Sequence, residues 1–313
     1  MYSKSVVSRV ILTSVLFVLA GGFLVGCGQG QSLQGTTGGI GAGVALVPSP
    51  PLRASNRKPN PQGDVLVLMY HKFAVKETHY DRSYDHFGQD LERLYEMGFR
   101  PVTMSQYLAN DMPLKPGASP VVITMDDSAP SQFQLQDDGS VAPDCALGIW
   151  ESFAANHPDF PVRGTFYVLP GVMWDQKPWR DRKVELLKSW GSELASHTWD
   201  HPSLRKLTDE QVKVEIAKSL DFLRGYGFDH PSFAYPYGIY PKNMSLLDGF
   251  YWHDRAYVMT GAVTCDTDLA PSPNADGFKP FKVPRVEAEE GSLGVDFWLD
   301  KIERGHRQVF VAP

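Results

Sequence analysis

From residue 65 to about residue 260, short runs of apolar and β-branched residues alternate with segments whose apolar residues recur at helical spacing. That alternation leaves few folds open. Val65-Leu66-Val67-Leu68-Met69-Tyr70 reads as a buried strand, and Phe87, Leu91, Leu94 and Met97 follow on one helix face. Residues 120–125, 165–168, 193–196, 233–235 and 257–260 read as further strands. Residues 145–156, apolar at Leu147, Ile149, Trp150 and Phe153, and residues 184–190 read as helices. Thr208 caps a strong helix, with Glu210 and Gln211 in its first turn and Val212, Ile216, Leu220 and Leu223 on one face. Parallel strands need long crossovers, which helices supply, so regular alternation predicts an α/β chain with a parallel sheet, open or closed. No internal repeat is present. Residues 128–144 interrupt the pattern. Gln132-Phe133-Gln134-Leu135-Gln136 alternates and Asp137-Asp138-Gly139 offers a turn, which predicts a small inserted hairpin, read as substrate-facing.

The start of the chain has a different character. Lys4 and Arg9 precede an uncharged stretch over residues 10–26, short for a membrane span and suited to a signal-peptide core. Leu24-Val25-Gly26-Cys27 resembles a bacterial lipobox, which predicts cleavage after residue 26 and lipidation of Cys27; an ordinary secretory signal is the alternative. Residues 28–63 hold eight Gly and five Pro, with no aromatic residue and no acid, too little apolar area to offset ordering entropy. The expected organisation is a leader over 1–26, a disordered tether over 27–63 and a single domain over 64–313, exported and lipid-anchored to a bacterial membrane, and monomeric. The net charge of −6, with no basic run, argues against a nucleic-acid partner. After Cys27 only Cys145 and Cys265 remain, too few for a disulfide scaffold; their pairing is left open.

Three motifs fall where strands should end. Thr124-Met125-Asp126-Asp127-Ser128 follows an apolar strand. Adjacent strand residues point to opposite faces, so two neighbouring carboxylates share a site only where the strand stops. One could then bind a metal while the other serves as base; the plain alternative is a solvated turn. In Ser196-His197-Thr198-Trp199-Asp200-His201-Pro202, two imidazoles can reach one ion, across a helical turn or from a tight loop, and Pro202 favours the loop. Imidazole pairs completed by a carboxylate suit zinc and similar metals. Phe233-Ala234-Tyr235-Pro236-Tyr237-Gly238 is a strand running into a Pro/Gly turn, either structural or a source of an oxyanion-binding N–H.

These motifs, in this order, resemble those of the polysaccharide deacetylase family, the NodB-homology domain of carbohydrate esterases. Residues 124–128 match its T-F-D-D-G, residues 197–201 its H-[ST]-x-x-H, and residues 234–238 part of its R-x-P-x-G; Gly164-Thr165-Phe166-Tyr167-Val168 and Glu193-Leu194-Ala195-Ser196-His197-Thr198 are similar to its flanking strands. The resemblance covers about residues 64–290. It implies a distorted (β/α) barrel of about seven strands with a divalent metal, most readily zinc with cobalt or nickel as alternatives, on Asp127, His197 and His201. Asp126 would be the general base and the Tyr237 N–H an oxyanion donor. The usual late L-x-H acid has no counterpart here. An early Tyr70-His71 is similar to the poly-N-acetylglucosamine deacetylase branch and makes His71 the acid. Ala234 stands where many relatives carry the Arg that orients the base, and Arg285, in Val283-Pro284-Arg285, is the expected substitute. Trp199, Tyr237 and Trp174 are candidate sugar platforms. The implied reaction is hydrolysis of N-acetyl groups on a polysaccharide. O-acetyl esterase activity, or glycan binding without catalysis, are the rival readings.

Overall fold

The computed structural model describes residues 57–289, Gly291 and residues 293–313. The leader, Cys27 and most of the expected tether lie outside the described residues. In chain order the elements are β1 (Leu66–Tyr70), β2 (Lys72–Ala74), β3 (Asp81–Ser83), α1 (Tyr84–Glu96), β4 (Phe99–Val102), α2 (Met104–Leu108), β5 (Ser119–Asp126), α3 (Ala146–Asn156) and β6 (Thr165–Val168). They continue with α4 (Arg180–Trp190), β7 (Glu193–Ser196), α5 (Asp209–Gly225), β8 (Phe233–Ala234), β9 (Phe250–Trp252), β10 (Arg255–Tyr257), β11 (Ala262–Val263), β12 (Val286–Glu287) and α6 (Val295–Glu303). Helix starts follow local chemistry. Thr208 and Thr103 each form a reciprocal capping box with the Gln three residues on, and Ser83 caps α1 through its hydroxyl.

The main sheet runs β11-β8-β7-β6-β5-β1-β12, all parallel, with β4 also paired to β5. β5 is the spine. β1 pairs along Val121 to Met125 on one edge, while β4 takes Ser119 to Val122 and β6 takes Thr124 to Asp126 on the other. Val283 pairs in parallel with Val263 of β11, and Val286 pairs with Leu68 of β1, so one short segment touches both ends of the strand order. The sheet therefore curls into the expected distorted barrel.

Both faces of the strands are covered, which is why they read as continuous apolar runs. Leu66, Leu68, Val121, Ile123, Phe166 and Leu194 pack outward with helix residues such as Phe87, Leu91, Leu147, Trp150 and Leu187. Val65, Val67, Val122, Tyr167, Ala195, Ala234, Val263 and Val283 fill the interior. Continuing the same parity to the strand ends places Asp126, His197 and Arg285 in the inner rows.

Two expectations are corrected. Residues 257–260 do not supply a barrel strand: Tyr257 ends β10, which pairs antiparallel with β9, and Tyr257 and Met259 pack into a separate cluster with Ile216 and Leu220. The barrel strand begins after Gly261, where any side chain would collide with the Pro280 carbonyl and Leu108. Residues 57–63, assigned to the tether, are bonded to the C-terminal segment. The Asn60 N–H donates to the Val311 carbonyl at 2.9 Å and its side-chain amide to the Val309 carbonyl at 3.1 Å. The inserted hairpin is present, with Leu135 opposite Val141.

Candidate active site

Asp126 is the last residue of β5, and the chain then turns with Asp127 at φ 68° and Ser128 at φ 53°. The left-handed turn removes the alternation, so both carboxylates reach the barrel mouth. Ser128 tolerates this conformation through two bonds: its hydroxyl accepts from the Leu169 N–H (3.1 Å) and its carbonyl from the Trp174 N–H (2.9 Å). The imidazole loop follows β7 in the same manner, with Thr198 at φ 68° and His201 at φ 56°. The Thr198 hydroxyl accepts the His201 N–H at 3.0 Å. Such strained positions persist where surrounding structure holds them, and they cluster at functional sites.

Asp127, His197 and His201 converge. The Asp127 Oδ1 is 3.4 Å from His197 Nε2 and 3.5 Å from His201 Nε2, and the two Nε2 atoms are 3.1 Å apart. Donors held about 2.0–2.1 Å from one tetrahedral ion stand roughly 3.3–3.4 Å from each other. The triangle has that size. Asp127 Oδ1 is buried with no hydrogen-bond partner, a state that costs free energy unless a cation satisfies it. His197 Nδ1 lies 2.9 Å from the Ala234 carbonyl; donation there fixes the tautomer and leaves the Nε2 lone pair aimed at the triangle. Burial and the neighbouring His197 depress the His201 imidazole. Burial raises the Asp127 carboxyl, but the adjacent His197 imidazole outweighs it and holds it below the usual range. The donor set fits a divalent cation. Another His/Glu group, His79, Glu287 and Glu289, lies elsewhere at the strand ends.

Asp126 is fully buried, and Arg285 forks onto it, Nη1 to Oδ1 at 2.7 Å and Nη2 to Oδ2 at 2.8 Å. Arg285 also donates to Thr124 Oγ1 and the Thr264 carbonyl, both at 3.0 Å. Burial alone would raise the Asp126 carboxyl, but the guanidinium charge prevails and holds it at about 2. Its Oδ2 is 3.9 Å from His197 Nε2, beside the donor triangle. His71 follows β1 on the inner row. Burial depresses its imidazole, while the charges of Asp126 and Asp127 oppose that shift. Tyr237, at φ 60°, sets its ring 4.5 Å from that of His201 and remains 65% exposed.

Trp174 does not reach the mouth. It is fully buried, and its indole N–H donates to Gln132 Oε1 at 3.0 Å, so it is core and not a sugar platform. The insert is likewise not simply a substrate loop, because Gln132 and Phe133 are fully buried. Gln132 Nε2 donates to the His71 and Asp126 carbonyls, each at 2.5 Å, clamping the ends of β1 and β5 together. Trp199 is half-buried against Phe222 of α5, with Lys218 over its ring. Cys145 and Cys265 are both free thiols. Sequence reading missed Glu215, whose carboxylate accepts the Trp199 and Asp200 N–H groups at 3.1 and 2.9 Å and braces the loop between the imidazoles. A half-buried acid within a helix gave no signal in the sequence.

A family model described as polysaccharide deacetylase matches residues 148–248, a span holding His197, His201 and the third motif. No curated protein gives a significant sequence match. Among solved structures, the deacetylase PplD of Streptococcus pyogenes, in complex with acetate, is 17% identical with a TM-score of 0.54, over 78% of this chain and 98% of that one. A polysaccharide deacetylase from Bacillus cereus, BC0361, is 17% identical with a TM-score of 0.55, over 77% and 69%. IcaB from Ammonifex degensii is 20% identical with a TM-score of 0.50, over 76% and 96%. These likenesses are ones of fold. The barrel, its mouth and the order of the motifs agree with that likeness. Over the matched residues 148–248 the chain is similar to the polysaccharide deacetylase family.

Proposed function

We propose that the chain removes N-acetyl groups from an N-acetylated polysaccharide of the cell wall or exopolysaccharide, using a divalent cation, most readily zinc, on Asp127, His197 and His201. The observation that carries this reading is the meeting, at one barrel mouth, of a donor triangle with an orphaned carboxylate oxygen and a second carboxylate locked by an arginine fork. When bound, such a cation lowers the pKa of water and polarises an acyl oxygen. Asp126, ionised across the working pH range, takes the proton of the attacking water. Arg285 keeps its two oxygens in place as it does so. The Tyr237 N–H helps hold the charge that develops on the acyl oxygen. His71 gives a proton to the departing nitrogen. An amine leaving group needs that proton more than an alkoxide does, which supports the N-acetyl reading over the O-acetyl one. The leader and lipobox support export and anchoring through Cys27.

The test is acetate release from chitooligosaccharide, peptidoglycan and acetylxylan after chelation, with zinc, cobalt or nickel restored. Release from the first two and not from acetylxylan is expected. Asp127→Ala should lose metal and turnover together, and Asp126→Asn should keep metal and lose turnover. Full activity in either variant, or acetylxylan as the preferred substrate, overturns the reading.

A further inference from the structure

On the side of the mouth away from His201 lies a group of side chains with no part in the reaction above. Val286 packs outward with Leu68, so its neighbours Arg285 and Glu287 both face inward, one strand layer apart. Glu287 is in register with Met69 of β1, and His71 lies two residues further along the same inner row. Glu289 reaches the rim, where its carboxylate is 2.6 Å from His79 Nδ1. Donor atoms of His79, Glu287 and Glu289 lie within 4.8 Å of one another. Tyr80 connects this group to the reaction centre. Its ring is 4.3 Å from that of His79 and 5.8 Å from that of His71, and it is 58% exposed.

Each feature constrains a ligand. A large exposed aromatic face next to His71 is what a sugar ring stacks on. Two carboxylates held this close repel each other, and Glu287 is half-buried, so the pair favours a cation between them. His79 Nδ1 and Glu289 Oε2 already sit at hydrogen-bond distance, closer than two donors spaced around one metal ion. An ammonium group on a stacked ring meets both demands, offering a flat apolar face to Tyr80 and hydrogen-bond donors to the carboxylates.

We propose that Tyr80, Glu287 and Glu289 form a subsite for a de-N-acetylated, positively charged amino-sugar unit adjoining the unit being hydrolysed. The proposal rests on the deacetylase reading above and adds the substrate class: a partly deacetylated chain is preferred to a fully acetylated one.

The test compares kcat/KM for acetate release by the zinc-loaded full chain on chitopentaose and on chitopentaose carrying one glucosamine unit. At low salt the wild type should favour the second by about three- to fivefold, the size of one partly exposed ion pair. Salt should shrink that ratio, and Glu287→Gln with Glu289→Gln should bring it near one. Tyr80→Ala should lower binding of both oligomers. A wild-type ratio near one, or a ratio unchanged in the double variant, overturns the subsite. So does a second bound metal equivalent that the double variant loses while the ratio stays put. If no substrate releases acetate, the proposed function fails instead. Calorimetric binding of a glucosamine pentamer against its N-acetylated form, in wild type and double variant, then still decides the subsite, equal affinities refuting it.

Discussion

Replacing Arg285 by Met keeps most of the side-chain volume and removes the fork on Asp126. Both partners are buried, at 0% and 1% exposure. Two contributions set the size of the effect. With the fork, the Asp126 carboxyl sits at about 2 against an ordinary 3.8, worth about 2–3 kcal/mol of folding free energy at neutral pH. Without it, burial acts unopposed and the buried carboxylate destabilises, so the total should reach about 3–5 kcal/mol, the usual cost of breaking a buried pair. The sign with pH should also change. In wild type the folded value lies below the unfolded one, so this contribution is present above about pH 4 and is lost as pH falls towards 2. In Arg285→Met the folded value rises above the unfolded one, so stability should fall as pH rises through the carboxylate range. Urea denaturation of chelated protein between pH 2 and 8 measures both effects, and Arg285→Met with Asp126→Asn should recover part of the loss because no buried charge remains. A single-variant cost below about 1 kcal/mol, or a double variant whose cost is the sum of the singles, would refute the reasoning.

Glu215→Ala removes the acceptor for two loop N–H groups and should weaken zinc binding about 10–100-fold in a chelator competition, with Glu215→Gln much closer to wild type; equal affinity in all three would reject the bracing role. Trp174→Ala should cost about 3–5 kcal/mol in denaturation and leave KM for chitooligosaccharide near wild type, whereas a raised KM with full stability would return Trp174 to the substrate surface. Lys183 is buried, with Nζ on the Phe133 and Trp174 carbonyls at 2.8 and 3.2 Å, and burial lowers it to about 8. The unfolded side chain titrates near about 10.4, so the unfolded state binds more protons between the two values. Stability should therefore rise with pH across that window in wild type and stay flat in Lys183→Met; a flat wild-type profile would contradict the assignment.

Much of the site was legible because a strand buried on both faces carries no ionisable residue until it nears the mouth. The first ionisable residues after 121–125 and 194–196 therefore mark where the barrel opens, and they are Asp126-Asp127 and His197. The helix at Thr208 was legible for a local reason, since its cap and its first-turn Gln are three residues apart. What could not be read depends on distant pairing. Tyr257 and Met259 look like a barrel strand, yet the residues that cover them lie on α5. Trp174 is as large and apolar as a sugar platform, and only its bond to Gln132, 42 residues away, shows it to be core. Residues 57–63 have a linker's composition and are held by the far end of the chain.

The missing arginine at 234 is the strongest argument for an inert relative, and the barrel itself weakens it. The proposed reaction needs a guanidinium on both oxygens of Asp126; it does not need one from a particular strand. In a curled sheet every inner row faces the same interior, so β8 on one side and the segment before β12 on the other can both supply that group. Here β8 offers Ala234, whose small side chain joins the interior cluster and whose carbonyl faces His197 Nδ1. Arg285 enters from the opposite side, two strands from β5 in the order β12-β1-β5, and its guanidinium carbon lies 5.5 Å from the Tyr167 ring centre. Arginine at 234 would therefore meet an interior already filled by Tyr167 and an Asp126 whose oxygens are already taken. Ala234→Arg should accordingly destabilise the fold by overpacking, about 1–3 kcal/mol or more, and should not raise turnover. Raised acetate release in Ala234→Arg would show that the fork from Arg285 is a poor substitute.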